Sequence, residues 1–167
     1  LDPARDVSAV VLTHFHHDHT GGLDHFPHTR VIGPRANHAV STGIRGMMMG
    51  CLPQRWPVWL APELVEMDGP PIGAFPASHP LTSDGRVALV PTPGHVAGHC
   101  SVVVLGDDIA YFLAGDATYS QENLAAERTD GVTSDVATSR ETLRRIKAFA
   151  ASQRRIRSTR PPRYSPW

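Results

Sequence analysis

Short apolar runs rich in β-branched residues alternate with polar loops along this chain, and their lengths predict strands more often than long helices. Val7 to Leu12 (Val-Ser-Ala-Val-Val-Leu) reads as a buried strand of a covered sheet. After Gly21 and Gly22, Leu23 to Phe26 begins a helix. Arg30 to Gly33 is a second short strand, and Pro34 opens a helix over Arg35 to Ser41, where its missing N–H costs nothing. Arg86 to Pro91 is a further strand. Ser101 to Leu105 and Ile109 to Leu113 alternate around Gly106-Asp107-Asp108, a hairpin signal. The helical period is clearest over Thr133 to Ala151, which places Leu143, Ile146, Phe149 and Ala150 on one face. Ser134 or Thr138 would cap it, with Glu141 closing a capping box from Thr138.

Two stretches lack clean periodicity. Gly43 to Pro80 reads as an insertion, with Met47, Met48 and Met49 in a row, then Cys51, Leu52, Trp56, Trp59 and Leu60 spaced by prolines. Flexible Met and broad Trp side chains could wall a pocket as a lid, or pack on the domain or on a second copy of the chain in a homodimer. After Gln153 the sequence turns to Arg and Pro, with no period of either kind. Residues 1–153 are therefore expected to form one domain and 154–167 a disordered tail.

At 167 residues and 41% hydrophobic composition there is material for one domain with a real core. The formal charge is zero, but five of the sixteen basic residues lie in the last fourteen positions, so the body holds eleven bases against sixteen acids. A mildly acidic body has no electrostatic footprint for nucleic acid. No run of about 18 apolar residues offers a membrane span. The two cysteines, Cys51 and Cys100, match no zinc-ribbon or redox spacing and read as free thiols of a reducing compartment, which points to the cytoplasm. The chain starts with Leu and lacks the layout of a signal peptide, and is expected to be a segment of a longer protein.

The chemistry is concentrated in Thr13 to Gly22, Thr-His-Phe-His-His-Asp-His-Thr-Gly-Gly, which packs His14, His16, Asp18 and His19 into six positions. Imidazole and carboxylate both suit zinc and similar ions. A catalytic zinc takes three protein ligands and a water, so one ion would leave ligands over, and two divalent ions sharing a pocket are expected. The alternative, a solvated loop that merely holds histidines, fits poorly between a strand and a Gly pair. His17, His25, His28 and His38 read as surface or supporting groups, and His79 is unassigned. A second histidine turn follows at Thr92-Pro93-Gly94-His95, where Pro-Gly projects His95, while His99 could support a neighbouring ligand. Asp116 leaves a buried strand after Gly115, where an unpaired charge would be costly and a metal partner would compensate; a turn or cap role is the alternative.

Strand, histidine loop, His95 turn, hairpin and Asp116, in this order, resemble the metallo-β-lactamase superfamily. The resemblance runs from about Asp6 to Gln153. It implies an α/β fold, the four-layer αβ/βα sandwich, here incomplete at the N-terminus. It also implies a first ion on His14, His16 and His95, a second on Asp18 and His19, and Asp116 bridging them. The usual zinc β-lactamases carry Cys where Asp116 stands, which argues against antibiotic degradation. Asp116-Ala117-Thr118-Tyr119 followed by Ser-Gln-Glu-Asn-Leu is similar to the N-acyl-homoserine lactonases. The resemblance then implies that a metal-bridging hydroxide attacks a lactone carbonyl. Tyr119 stabilises the oxyanion, and Asp18 passes a proton to the leaving oxygen. A glyoxalase II-like thioesterase shares these ligands and is the rival enzyme; an inactive fragment of the fold is the other.

Two departures qualify the resemblance. Relatives carry several strands ahead of the histidine motif, and they supply a last metal histidine after the final helix, whereas this chain has no histidine beyond His99. Because the Arg/Pro tail abandons the composition of the body, a reading-frame shift or chimeric end near Gln153 is the expected cause. The other two frames of the coding DNA should then encode a His-Asp pair soon after Gln153; its absence from both would exclude the idea.

Overall fold

The computed structural model describes residues 2–157. A single turn, α1 (Pro3–Asp6), leads into β1 (Ala9–Val11), and the next residues carry the first histidines. A short turn of helix, α2 (His17–Thr20), follows, and the chain returns through β2 (Arg30–Pro34). Two helices, α3 (Arg35–Ser41) and α4 (Gly43–Met48), cross to β3 (Glu63–Val65). These three strands form a parallel sheet in sequence order, with Val10 opposite Val31 and Gly33 opposite Leu64. The second sheet is antiparallel and also in sequence order: β4 (His79–Pro80), β5 (Val87–Pro91), β6 (Cys100–Leu105) and β7 (Ala110–Leu113). One helical turn, α5 (Gln121–Ala125), precedes the long α6 (Val136–Arg157).

Alternation along the strands sorts the core into layers, because neighbouring residues point to opposite faces. Ile32 of β2 joins Val65, Leu89, Cys100 and Val102 between the two sheets. Its neighbour Val31 turns outward, to Leu12, Phe15 and Leu23, and is covered by Trp56 and Leu60. On the second sheet, Val90 and Val103 face α6 and pack with Phe75, Ile146 and Phe149. The result is a mixed α/β sandwich, two sheets face to face with helical segments outside. Among the described residues no helix is long and apolar enough to cross a membrane.

Several local expectations need correction. Leu23–His25 is a 3-10 turn rather than the start of a helix. The stretch read as an insertion contains α4 and β3. Three residues of β3 are too few to display a period, and it becomes a strand by pairing with β2. Trp56 and Leu60 from that stretch are half-buried against the core, the Trp56 ring 5.4 Å from that of Phe15, whereas Ile44, Met48 and Val58 stand in solvent. The long helix starts at Val136, not Thr133. Its first turn is tied by the Asp135 carboxylate, which accepts from Thr138 N–H at 3.0 Å and from the Thr138 hydroxyl at 2.7 Å. Glu141 accepts from Arg145 rather than completing a capping box. The helix also runs on through Arg157, into the segment expected to be disordered; residues 158–167 lie outside the described part.

One side chain joins the two loops that carry histidines. Asn37, buried on α3, accepts from Phe15 N–H at 2.8 Å and donates to the Ala97 carbonyl at 2.8 Å. The Ser41 hydroxyl lies 3.2 Å from Asn37 Oδ1 and donates to the Asn37 backbone carbonyl at 2.8 Å. Replacing Asn37 by Leu leaves the buried Phe15 N–H without its acceptor, at a cost of about 1–3 kcal/mol, and frees the carbonyl of the exposed Ala97. The expected loss of unfolding free energy in denaturant titration is therefore about 1–3 kcal/mol; a loss below about 0.5 kcal/mol would mean that the loops are held by other contacts.

Candidate metal centre

The cluster is built where chain segments leave the two sheets on one side. Residues after β1 bring His14 and His16, α2 brings His19, the β5–β6 connection brings His95 and His99, and the turn after β7 brings Asp116. Gly94, at φ +139°, lets the β5–β6 connection press on α6, since a Cβ there would lie 2.4 Å from Ser139 Cα. His14 is the hub. It is fully buried, and four imidazoles surround it, at centroid distances of 4.5 Å (His16), 4.1 Å (His19), 5.1 Å (His95) and 5.0 Å (His99).

Two sets of donor atoms converge, each within 4.8 Å: His14, His16 and His95, and His14, His19 and Asp116. His95 Nε2 lies 3.1 Å from His16 Nδ1 and 3.5 Å from Asp116 Oδ2, while His19 Nε2 is 3.2 Å from Asp116 Oδ1. His14 Nε2 and His16 Nε2 are buried and have no hydrogen-bond partner. A buried ring nitrogen left so costs about 1–3 kcal/mol, and a metal ion is the partner such donors fit. Asp18 is placed differently from the rest. Its carboxylate is 74% exposed and reaches His19 Nε2 at 3.7 Å, and it belongs to neither converging set. The Tyr119 hydroxyl donates to Asp116 Oδ2 at 3.0 Å from the solvent side.

The family model of the metallo-beta-lactamase superfamily matches residues 2–152. The chain belongs to that superfamily. The probable metallo-hydrolase Rv2300c of Mycobacterium tuberculosis is 37% identical over 124 residues, covering 71% of this chain and 39% of the relative. The N-acyl homoserine lactonase AttM of Agrobacterium fabrum is 26% identical over 160 residues, covering 90% and 56%. Among solved structures, an N-acyl homoserine lactone hydrolase bound to its product N-hexanoyl-L-homoserine superposes with a TM-score of 0.66 at 23% identity, over 89% of this chain and 53% of that one. The chain thus spans about half or less of the length of these relatives.

A metal site of this kind takes neutral imidazoles, and burial favours the neutral form of three rings of the cluster, His14, His16 and His99. Burial holds the His14 imidazole well below its ordinary range, and the surrounding histidines add to the effect. His16 is lowered by burial and then by His95. His99 is pushed down to about 3 by burial and by His95. Neutral rings present free lone pairs, so a metal need not displace a proton.

One supporting residue carries no signal in the sequence. Asp130, in the loop before α6, reaches His95 Nδ1 at 3.1 Å and also accepts from Val132 N–H at 2.9 Å and the Thr133 hydroxyl at 2.6 Å. Burial pulls its carboxyl upward, but these hydrogen bonds prevail and hold it below its usual range. A carboxylate behind a ligand histidine orients the ring and raises its basicity. Its distance from His95 in sequence hides it, although Asp130-Gly131 reads as a turn. Asp130→Asn should weaken zinc binding about 10- to 100-fold, read by competition with a chromophoric chelator; unchanged affinity would mean that Asp130 only shapes its loop.

Proposed function

We propose that this domain is a hydrolase for N-acyl-homoserine lactones that works with two divalent ions, zinc by the chemistry of its donors. The observation that supports it most is the Tyr119 hydroxyl, held 3.0 Å from Asp116 at the open side of the histidine cluster. Burial and the Asp116 carboxylate together raise the Tyr119 phenol well above its ordinary range, so it is a proton-bearing donor at neutral pH. Ions in this centre would supply a nucleophilic water at neutral pH and Lewis acidity toward a carbonyl.

The protein's own part is then to hold and donate. His14, His16 and His95 would form one ligand set; His19 and Asp116, with Asp18 beside His19, would form the other. Tyr119 turns its hydroxyl from Asp116 toward the carbonyl oxygen of the lactone, where it stabilises the charge that develops. Asp18, in contact with solvent and close to His19, would take the proton given up by the attacking water and pass it to the ring oxygen as the C–O bond breaks. A cavity of about 560 Å³ beside Tyr119, lined by Phe112, Leu124, Ile146 and Phe149, is apolar enough for an acyl chain. The lactonase relative AttM, at 26% identity, is in keeping with this substrate.

The test uses the zinc-loaded chain with an N-acyl-homoserine lactone and with S-lactoylglutathione. Turnover of the lactone, with kcat about 10- to 100-fold lower in Tyr119→Phe at unchanged zinc content, is the expected outcome, the fold-change corresponding to loss of one charge-assisted hydrogen bond. Turnover of the thioester alone would overturn the reading. Zinc binding with no turnover of either would make this chain a metal-binding fragment of an enzyme.

A further inference from the structure

We propose that His99 is a positioning residue: it aims the Asp116 carboxylate by clamping the main chain on both sides of Gly115 through a one-way ring of hydrogen bonds. The ring starts at Asp116, whose backbone N–H donates to His99 Nε2 at 3.2 Å. On the far side of the imidazole, Nδ1 lies 2.9 Å from Thr92 Oγ1. Thr92 Oγ1 lies 2.8 Å from Ser101 Oγ, and the Ser101 hydroxyl donates to the Ala114 carbonyl at 2.9 Å. Asp116 and Ala114 are the two neighbours of Gly115, so the ring closes on a single turn.

Its direction follows from which groups can only give and which can only take. A backbone N–H donates, so Nε2 must be the bare nitrogen of His99. A carbonyl accepts, so the hydrogen of Ser101 is committed to Ala114, and Ser101 Oγ must accept from Thr92. The Thr92 hydrogen is thereby used, and Thr92 Oγ1 must accept from Nδ1. His99 is therefore the neutral tautomer protonated on Nδ1. Each link leaves its neighbour one role, and His99, Thr92 and Ser101 are all buried, so water does not compete.

The turn needs such a clamp. Gly115 sits at φ +55°, and a Cβ there would lie 3.0 Å from His99 Nε2 and 2.9 Å from Thr13 Cγ2. The glycine is thus pressed between His99 and the loop that carries His14, and the rotation of the next residue decides where the Asp116 carboxylate lands. As held, its oxygens reach His19 at 3.2 Å, His95 at 3.5 Å and His14 at 4.0 Å. Loss of the ring would let the turn relax and move the one carboxylate shared by the cluster. Neither His99 nor Thr92 supplies a donor atom to the converging sets, although the His99 ring packs 5.0 Å from that of His14. The functional consequence rests on the metal-hydrolase reading; the ring itself is a property of the metal-free chain.

Two measurements test it. Long-range 15N–1H correlation on the labelled, metal-free chain, with His99→Gln to assign the ring, should show Nδ1 protonated and Nε2 bare. An Nε2–H tautomer, or an average of the two, would overturn the proposal. The second measurement separates hydroxyl from volume at Thr92. Thr92→Val keeps the volume and loses the hydroxyl; Thr92→Ser keeps the hydroxyl and loses a buried methyl. Zinc affinity by chelator competition should fall about 10- to 100-fold in Thr92→Val and stay within about twofold in Thr92→Ser, whatever their melting temperatures. Affinity that instead follows the melting temperature would reduce the ring to a packing element and overturn the proposal. If Thr92→Val does not fold, the tautomer of the unmodified chain still decides. A chain that shows the expected tautomer and affinities but cleaves no lactone would refute the substrate reading and leave the clamp standing.

Discussion

A histidine buried in an apolar interior must be neutral, and each of its ring nitrogens needs a partner. In this protein that constraint falls on a group rather than on one residue, because His14 lies at the centre of four other imidazoles with no solvent around it. The fold meets the demand with fixed acceptors and donors: Thr13 for His14, Asp130 for His95, Thr92 and the Asp116 amide for His99. What these leave unmet, His14 Nε2 and His16 Nε2, points inward, and that remainder is the signature of a metal centre.

The rest of the structure serves to bring the loops to one place and keep them there. A parallel sheet ends at the first histidine loop, and an antiparallel sheet, packed on it through Ile32, Leu89, Cys100 and Val102, ends at the other two. Loops of this kind would wander without cross-ties. Asn37 bonds the first to the second, Cys100 N–H donates to the Thr13 carbonyl at 3.0 Å, and Gly115 wedges the third against both. Reactive groups then sit on short connections while their positions are set by strands, which is how loops can carry precise geometry.

Legibility in the sequence divides along the same line. His14, His16 and His19 are close in sequence, so their gathering could be read directly; His95 and Asp116 were found because each leaves a strand at a Gly or Pro-Gly turn. Asp130 and Asn37 could not be found that way. Both act through hydrogen bonds to residues brought near by folding, and neither sits in a motif. The supporting role expected for His99 was visible, but the direction of its bonds was not, since it depends on Thr92, Ser101 and the Asp116 amide closing a ring. β3 was missed for a similar reason: three residues have no period, and only the edge of β2 makes them a strand.

The sequence by itself determined the chemistry and the class of fold: a dense set of metal-binding side chains on turns between short β-branched strands, followed by one amphipathic helix. These are local properties, written in residue type and spacing. Tertiary structure decided which donors share a site, which imidazoles lose their protons to burial, and which carboxylates orient them. It set Asp18 toward solvent while drawing Asp116 into contact with His19 and His95. The physical reason is that burial, charge coupling and hydrogen-bond direction are relations between segments far apart in the chain, and they take values only once the two sheets are packed.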